Sequence, residues 1–210
     1  MDWLDYVQPG MTVVDIGANI GGYTAGLKER AGPTGLVIAI EPNPAAIAQL
    51  CSVNADRILQ IAVSDVEGQA QFYFGTLTEH GSLVKANVLN PTGEAMNIPV
   101  ATIDGLQRRR DLPTPIDFVK VDAQGAEAAI LRGAARCLAR QEAIWYLELW
   151  SEGLDQAGDS VEDVAHVAEN AGYVLENGDS WSEVCAKART QHGHGSIDVL
   201  MVPKSRNAYH

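Results

Sequence analysis

The stretch Val13-Val14-Asp15-Ile16-Gly17-Ala18-Asn19-Ile20-Gly21-Gly22 limits the possible folds of this chain more than any other. Met11 to Ile16 reads as a strand, Gly17 and Gly21 mark a turn, and Tyr23 to Arg30 reads as a helix closed by Gly32 and Pro33. Without a Cβ atom, Gly17 and Gly21 let the backbone approach a ligand closely and adopt dihedrals crowded for other residues. The helix N-terminus just beyond offers free N–H groups to an anionic or strongly polar group. Leu36 to Ile40 is a second strand, continuously apolar as expected when both faces are covered, and it ends at Glu41-Pro42. A carboxylate at that place accepts hydrogen bonds from ribose hydroxyls in nucleotide-binding α/β folds. Glycine turn and Glu41 together point to a nucleoside cofactor.

The rest of the chain extends the alternation. Asn43 and Pro44 look like a helix cap followed by proline at the first helical position, with Ile47, Leu50, Cys51 and Asn54 on one face. Ile58 to Val63 is expected as a third strand, Ile116 to Val121 as a fourth and Ile144 to Leu149 as a fifth. Between the third and fourth core strands, about 68–104, lies a small β insertion. It contains Gln71 to Phe74 and Ile98 to Ile103 as strands, joined by a polar, glycine-containing loop from Gly75 to Asn97. Gly125 to Leu138 is expected as one helix, its apolar stripe running through Ala126, Ala129, Ile130, Ala134 and Cys137. Ser160 to Asp163 opens another helix as a near capping box, with Asp in place of the usual Glu or Gln. Tyr173 to Leu175 and Ile197 to Val202 complete the sheet, the last strand antiparallel. The expectation is one α/β domain over 1–210, Rossmann-like and doubly wound, with a mostly parallel sheet.

Charge narrows the partners. With 15 basic and 27 acidic residues the formal charge is −12, and the only basic run, Arg108 to Arg110, reads as a solvated turn. Clustered Lys and Arg are needed to displace phosphate counterions, so nucleic acid is not expected as a partner. Apolar runs are strand-sized, so no membrane partner is expected. The acidic start Met1-Asp2-Trp3 does not read as a signal peptide. Cys51, Cys137 and Cys185 are odd in number and show no metal or disulfide spacing, which fits a reducing cytoplasm. Cys51 and Cys137 are read as packing residues. Oligomeric state is not legible.

A dinucleotide site would want glycine at position 19 to admit a pyrophosphate. Asn19 crowds a diphosphate but suits an amino-acid moiety, and Asp15 suits an ammonium, directly or through water. S-adenosylmethionine (SAM) therefore fits better than NAD. Five blocks, in order, resemble the FkbM family of SAM-dependent methyltransferases. They are Asp15 to Gly21, Glu41-Pro42-Asn43, Ala62 to Asp65, Thr102-Ile103-Asp104, and Phe118 to Glu127. The resemblance runs from about Val13 to Glu148. It implies O-methylation of a hydroxyl on a sugar or other small metabolite, with Asp15, Gly17, Ala18, Asn19, Gly21, Glu41 and Pro42 at the cofactor and Ser64 and Asp65 near its adenine. Gln124 departs from the family pattern, where an acidic residue is expected.

For chemistry, Asp122 ends the fourth strand, Glu148 lies near the end of the fifth, and Glu127 is one turn into the helix between them. Asp122 is the candidate to orient the acceptor or take its proton, with Glu127 and Glu148 in support. The two glutamates have an alternative role, capping backbone groups or pairing with Lys120 and Arg132. His80, in the insertion, is a further candidate base because imidazole titrates near neutrality. His192 and His194 flank glycines in a late loop, and His166 sits on an exposed helix face. Trp145 is read as packing and Trp150 as packing or lining the acceptor site. No metal is predicted. Two other readings stay open: a short nicotinamide-dependent oxidoreductase, disfavoured by Asn19 and by the lack of a Tyr-x-x-x-Lys pair, and a non-catalytic SAM-binding relative.

Overall fold

The computed structural model describes residues 3–191 and 195–207. The chain forms β1 (Thr12–Ile16), α1 (Gly22–Ala31), β2 (Leu36–Ile40), α2 (Pro44–Leu50), β3 (Arg57–Leu59) and β4 (Ala62–Val63). Next come β5 (Gly68–Gly75), β6 (Pro91–Ala101), α3 (Ile103–Arg109), β7 (Phe118–Val121), α4 (Glu127–Arg132) and α5 (Ala135–Ala139). The last part holds β8 (Ile144–Trp150), α6 (Ser151–Ala157), α7 (Val161–Asn170), β9 (Tyr173–Leu175), α8 (Trp181–Ala188) and β10 (Ser196–Pro203).

The main sheet has seven strands in the order β3-β2-β1-β7-β8-β10-β9. β1 pairs parallel with β2 on one side and β7 on the other, while β10 is antiparallel to both β8 and β9. This is the expected doubly wound α/β fold with an antiparallel strand. The winding reverses between β1 and β7, and a crevice opens there outside the carboxyl ends of the strands. Gly17 and Asp122 follow those two ends directly. Asp122 N–H donates to Ile16 O at 3.1 Å, so the two loops leave the sheet side by side.

Burial explains the layering. Val14, Ile16, Ile38, Ile40, Val119 and Val121 face the larger core together with Trp145, Leu147 and the buried side of α7. Val13, Val37, Phe118 and Tyr146 face the opposite layer, where α1 and Trp3 cover them. Trp3 stacks on Tyr146 with ring centroids 4.3 Å apart. No helix among the described residues is long and apolar enough to cross a membrane.

Several elements differ from expectation for identifiable reasons. Ile58 to Val63 is not one strand: β3 stays in the main sheet, whereas β4 pairs with β6 in a separate sheet of order β4-β6-β5. The chain turns between them, with Ile61 N–H donating to Leu59 O. The insertion therefore begins at Ala62. Its joining loop is shorter than expected because β6 already starts at Pro91, and short 3-10 turns at Thr78–His80 and Lys85–Asn87 occupy the remainder. Strand pairing stops at Ala101 because the Thr102 hydroxyl accepts from Gly105 N–H and caps α3. Arg108 and Arg109 lie in that helix rather than in a turn, both paired with Glu67.

The expected helix 125–138 is broken into α4 and α5 near Gly133. A Cβ at Gly133 would meet Ser64 O at 2.2 Å, so the insertion's first strand presses against the break. Ala128 and Leu131, rather than Ala129, are buried in α4. Cys51 caps α2 and is exposed, contrary to its reading as a packing residue, because the helix ends one residue earlier; Cys137 and Cys185 are buried. Helices α6 and α8 were not expected. A full capping box of Ser180 and Glu183 starts α8. At α7, Ser160 accepts from Asp163 N–H, but the shorter Asp163 carboxylate bonds the Ser160 hydroxyl instead of reaching back to the cap backbone.

Candidate active site

The glycine turn is built by contact, not only by dihedral freedom. Gly17 has φ +74°, and a Cβ there would sit 1.8 Å from Asp122 O. Gly21 has φ +93°, and a Cβ there would meet Val53 at 2.5 Å. Both positions combine left-handed backbone with no room, so each accepts glycine alone. Asn19 also takes φ +47°, a conformation asparagine tolerates.

Glu41 is the electrostatic centre of this side. It is 5% exposed, its Oε2 accepts Asn19 N–H at 2.8 Å and its Oε1 accepts Asn43 N–H at 2.7 Å. Burial pushes its carboxyl up to about 7, against the lowering effect of those two N–H groups. A cleft opens here, lined by Gly17, Asn19, Glu41 and Pro42 from the first two strand ends and by Ile61, Ala62 and Val63. The insertion forms its other wall: Asn43 Nδ2 donates to Thr78 O at 3.2 Å and Asn19 Nδ2 to Glu79 Oε2 at 3.4 Å.

Other residues named from the sequence lie beside this cleft. Asp15 is fully buried beneath it, accepting the Thr24 hydroxyl at 2.6 Å and facing Lys120 Nζ at 3.5 Å. Ala18 packs with Ala39 and Leu50. Ser64 and Asp65 are not part of the cleft lining; Asp65 pairs with Arg132 at 2.9 Å.

A second cavity, about 230 Å³, adjoins the first and is lined by Glu79, His80, Leu89, Asp122, Gln124, Glu127, Glu148, Trp150 and Ser196. The two share Glu79, Asp122 and Gln124. All four residues proposed from sequence for chemistry thus line one cavity. Asp122 is held from two sides, by Lys120 Nζ at 3.3 Å on Oδ2 and by Gln124 Nε2 at 3.2 Å on Oδ1. Gln124 has φ +52° and donates a hydrogen bond to Asp122, where an acidic residue would have placed a like charge.

Glu127 is 1% exposed. Its Oε1 accepts Ala123 N–H at 3.0 Å and Gly125 N–H at 3.3 Å, while its Oε2 has no hydrogen-bond partner. Burial lifts its carboxyl to about 7. Glu148 is half-buried and also raised, by burial first and by the Asp122 charge next, although Ser196 Oγ donates to it at 2.7 Å. Neither glutamate pairs with Lys120 or Arg132. Arg132 binds Asp65 and Asp159, and Lys120 binds Asp15 and Asp122.

Lys120 was not singled out as a functional residue. It is 1% exposed, and its Nζ lies 4.8 Å from the Tyr23 ring centroid. Burial pulls its pKa down, but the Asp15 and Asp122 carboxylates outweigh that and hold it above the usual lysine value. A lysine inside the apolar strand Phe-Val-Lys-Val is itself a signal, since a buried cation needs buried anions. Asn87 left no such signal. Buried in the insertion, it donates to Gln124 O at 2.8 Å and Gly153 O at 2.9 Å, fastening the insertion to the loop after β7. His166 is exposed and bonds Asn170, Trp145 is buried in the core, and His192 and His194 lie outside the described residues.

The family model of the methyltransferase FkbM domain matches residues 15–175. Among solved structures, the chain is similar to a methyltransferase FkbM from Methylobacillus flagellatus KT, at 19% identity and TM-score 0.47 over 66% of this chain. It spans about a third (32%) of the length of that protein. It is also similar to the Methanococcus jannaschii fibrillarin pre-rRNA processing protein, at 12% identity and TM-score 0.53 over 94% of this chain and 68% of the other. An Aeropyrum pernix fibrillarin, whose structure holds natively bound S-adenosyl-L-methionine, matches at 12% identity and TM-score 0.52, over 93% of this chain and 68% of the other. At such identities the two fibrillarin likenesses speak for the fold alone. No curated protein matches the chain. The family match removes the nicotinamide oxidoreductase reading, and with it the glycine turn, Glu41 and the doubly wound sheet have one explanation: the chain belongs to the FkbM methyltransferase family, whose cofactor is S-adenosylmethionine.

Proposed function

We propose that the protein methylates a hydroxyl of a small metabolite or sugar, with Asp122 as the group that orients the acceptor and receives its proton. The observation that carries this reading is the position of Asp122, at the seam shared by the cofactor cleft and the acidic cavity.

The residues of the first cleft fit SAM. Gly17 lines the cleft without a side chain to intrude on it, and Asn19 Oδ1 is buried with no hydrogen-bond partner. Each Glu41 oxygen accepts one N–H and so keeps a lone pair for a ribose hydroxyl. On this reading Gly17 and Asn19 hold the amino-acid end, Glu41 and Pro42 the ribose, and Ile61 to Val63 the adenine side. When bound, SAM supplies a methyl group on a positively charged sulfur, already activated for in-line displacement. The chain has three tasks left: align the acceptor oxygen, exclude water and accept a proton. Lys120 and Gln124 fix both oxygens of Asp122, so the carboxylate meets the acceptor pre-oriented. The turn at Thr78–His80, fastened to Asn43 and Asn19, borders the seam.

Calorimetric titration with SAM, S-adenosylhomocysteine (SAH) and NAD tests the cofactor half, and methyl transfer to a panel of hydroxylated acceptors tests the rest. Micromolar SAH affinity lost in Glu41→Ala, with no NAD binding, is the expected result. NAD binding without SAH binding overturns it. SAH binding with no transfer to any hydroxylated acceptor would leave a SAM-binding, non-catalytic protein.

A further inference from the structure

We infer that the acceptor carries a protonated amine alongside its hydroxyls, and that the cavity formed by Asp122, Glu127 and Glu148 binds this cation. The inference rests on the methyltransferase reading above and names its substrate class.

Among the described residues, Glu79, Asp122, Glu127 and Glu148 line the cavity and no Lys or Arg does. The cation that pairs with Asp122, Lys120, is divided between Asp15 and Asp122. It offsets at most one of the charges that face the ligand. A low-dielectric cavity with so many carboxylates repels phosphate and carboxylate groups and attracts cations.

Glu127 supplies an independent sign of a missing partner. Its Oε2 is buried and unbonded, on a residue that lines the cavity, and a buried acceptor without a donor is costly. An ammonium has three donors, enough to meet Glu127 Oε2 while also reaching Glu148 or Asp122. A neutral hydroxyl brings one. Nor does the geometry favour a metal ion in place of the amine: no three of the described carboxylates and histidines are grouped to hold one. Trp150, 6% exposed, contributes an aromatic surface to the wall, which suits both a sugar-sized ring and a cation. Ser196 and His80 add polar contacts for hydroxyls.

Glucosamine, glucose and glucose 6-phosphate, titrated calorimetrically at low salt with and without saturating SAH, separate the possibilities. SAH is titrated first. If it fails to bind, the methyltransferase reading falls, while the three-sugar comparison still scores the cavity. The expected result is glucosamine binding at least tenfold more tightly than glucose, with glucose 6-phosphate weakest. Repeating the titration at pH 7 in buffers of different ionisation enthalpy should show proton release on glucosamine binding, because a cation drives the raised glutamates to ionise. Glu127→Gln should cut the amine preference to below about threefold and remove most of the proton release. Glu148→Gln, at a half-exposed position, repeats the measurement should Glu127→Gln not fold. Equal binding of glucosamine and glucose, tightest binding of the phosphate, or no binding of all three overturns the inference.

Discussion

Glu41 in the cleft proposed for the cofactor and Glu127 in the acidic cavity are buried to a similar depth, and both are pushed up to about 7 by that burial. Their wiring differs. Glu41 spreads two backbone N–H groups over two oxygens, so its carboxylate is fixed in both position and rotation. Glu127 takes the Ala123 and Gly125 N–H groups on Oε1 and leaves Oε2 buried without a hydrogen-bond partner. A site for a cofactor that never varies can be finished in advance, whereas Glu127 keeps an unused acceptor for the proposed amine. The two regions meet where Gly17 lies against Asp122 and Asp122 N–H bonds Ile16 O, at Glu79, which lines both, and over the buried cation Lys120.

Breaking the contact should have the largest effect. Gly17→Ala drives a Cβ to within 1.8 Å of Asp122 O at a positive φ, and should cost about 4 kcal/mol or more of unfolding free energy in urea titration, or prevent folding. A loss under about 1 kcal/mol would mean that the two loops move apart easily. Lys120→Met leaves the buried Asp15 and the part-exposed Asp122 without their cation and should cost about 3–5 kcal/mol by the same measurement. A variant as stable as wild type would show that the two carboxylates do not depend on it.

Next comes a pH effect at Glu127. A carboxyl raised from 4.5 to about 7 on folding contributes stability that is present below pH 4.5 and lost as pH rises through 7. Glu127→Gln imitates the protonated form, so the ligand-free variant should be more stable than wild type at pH 8, by up to about 3 kcal/mol. At pH 4 the two should coincide. Thermal melts across that range check the sign, and a variant less stable at pH 8 than at pH 4 relative to wild type refutes it. Greater stability paired with weaker amine binding would be the usual exchange of stability for function.

The smallest effect is expected at Asp65. Asp65→Asn removes an exposed pairing with Arg132 and should cost under about 1 kcal/mol, with SAH affinity changing by less than about threefold. A loss above tenfold would bring Asp65 to the adenine, as the family resemblance implies.

Legibility in the sequence follows contiguity. The cofactor side was readable because its signals are local: the glycine turn, Asn19 and Glu41 lie within one strand-turn-helix-strand unit, and β2 was read to the residue. The line of carboxylates at 122, 127 and 148 was readable too, since strand ends and one helical turn place them on one side of the sheet. Elements whose limits depend on distant partners were misjudged. The break in the helix after Gly125 comes from Ser64 pressing on Gly133, and the split of residues 58–63 comes from β6 offering Ala62 and Val63 a partner.

By itself, then, the sequence determined the doubly wound sheet, the glycine turn and the acidic character of the site, because hydrophobic period, glycine placement and charge are written along the chain. Only the tertiary structure decided that Lys120 divides itself between Asp15 and Asp122, that Asn87 bolts the insertion to the β7 loop, and that Glu127 keeps one oxygen bare. Asn87 reaches residues 37 and 66 positions away, Lys120 bridges two strands, and the Glu127 oxygen is what remains after backbone bonding; no local pattern records which buried polar group finds a partner and which does not.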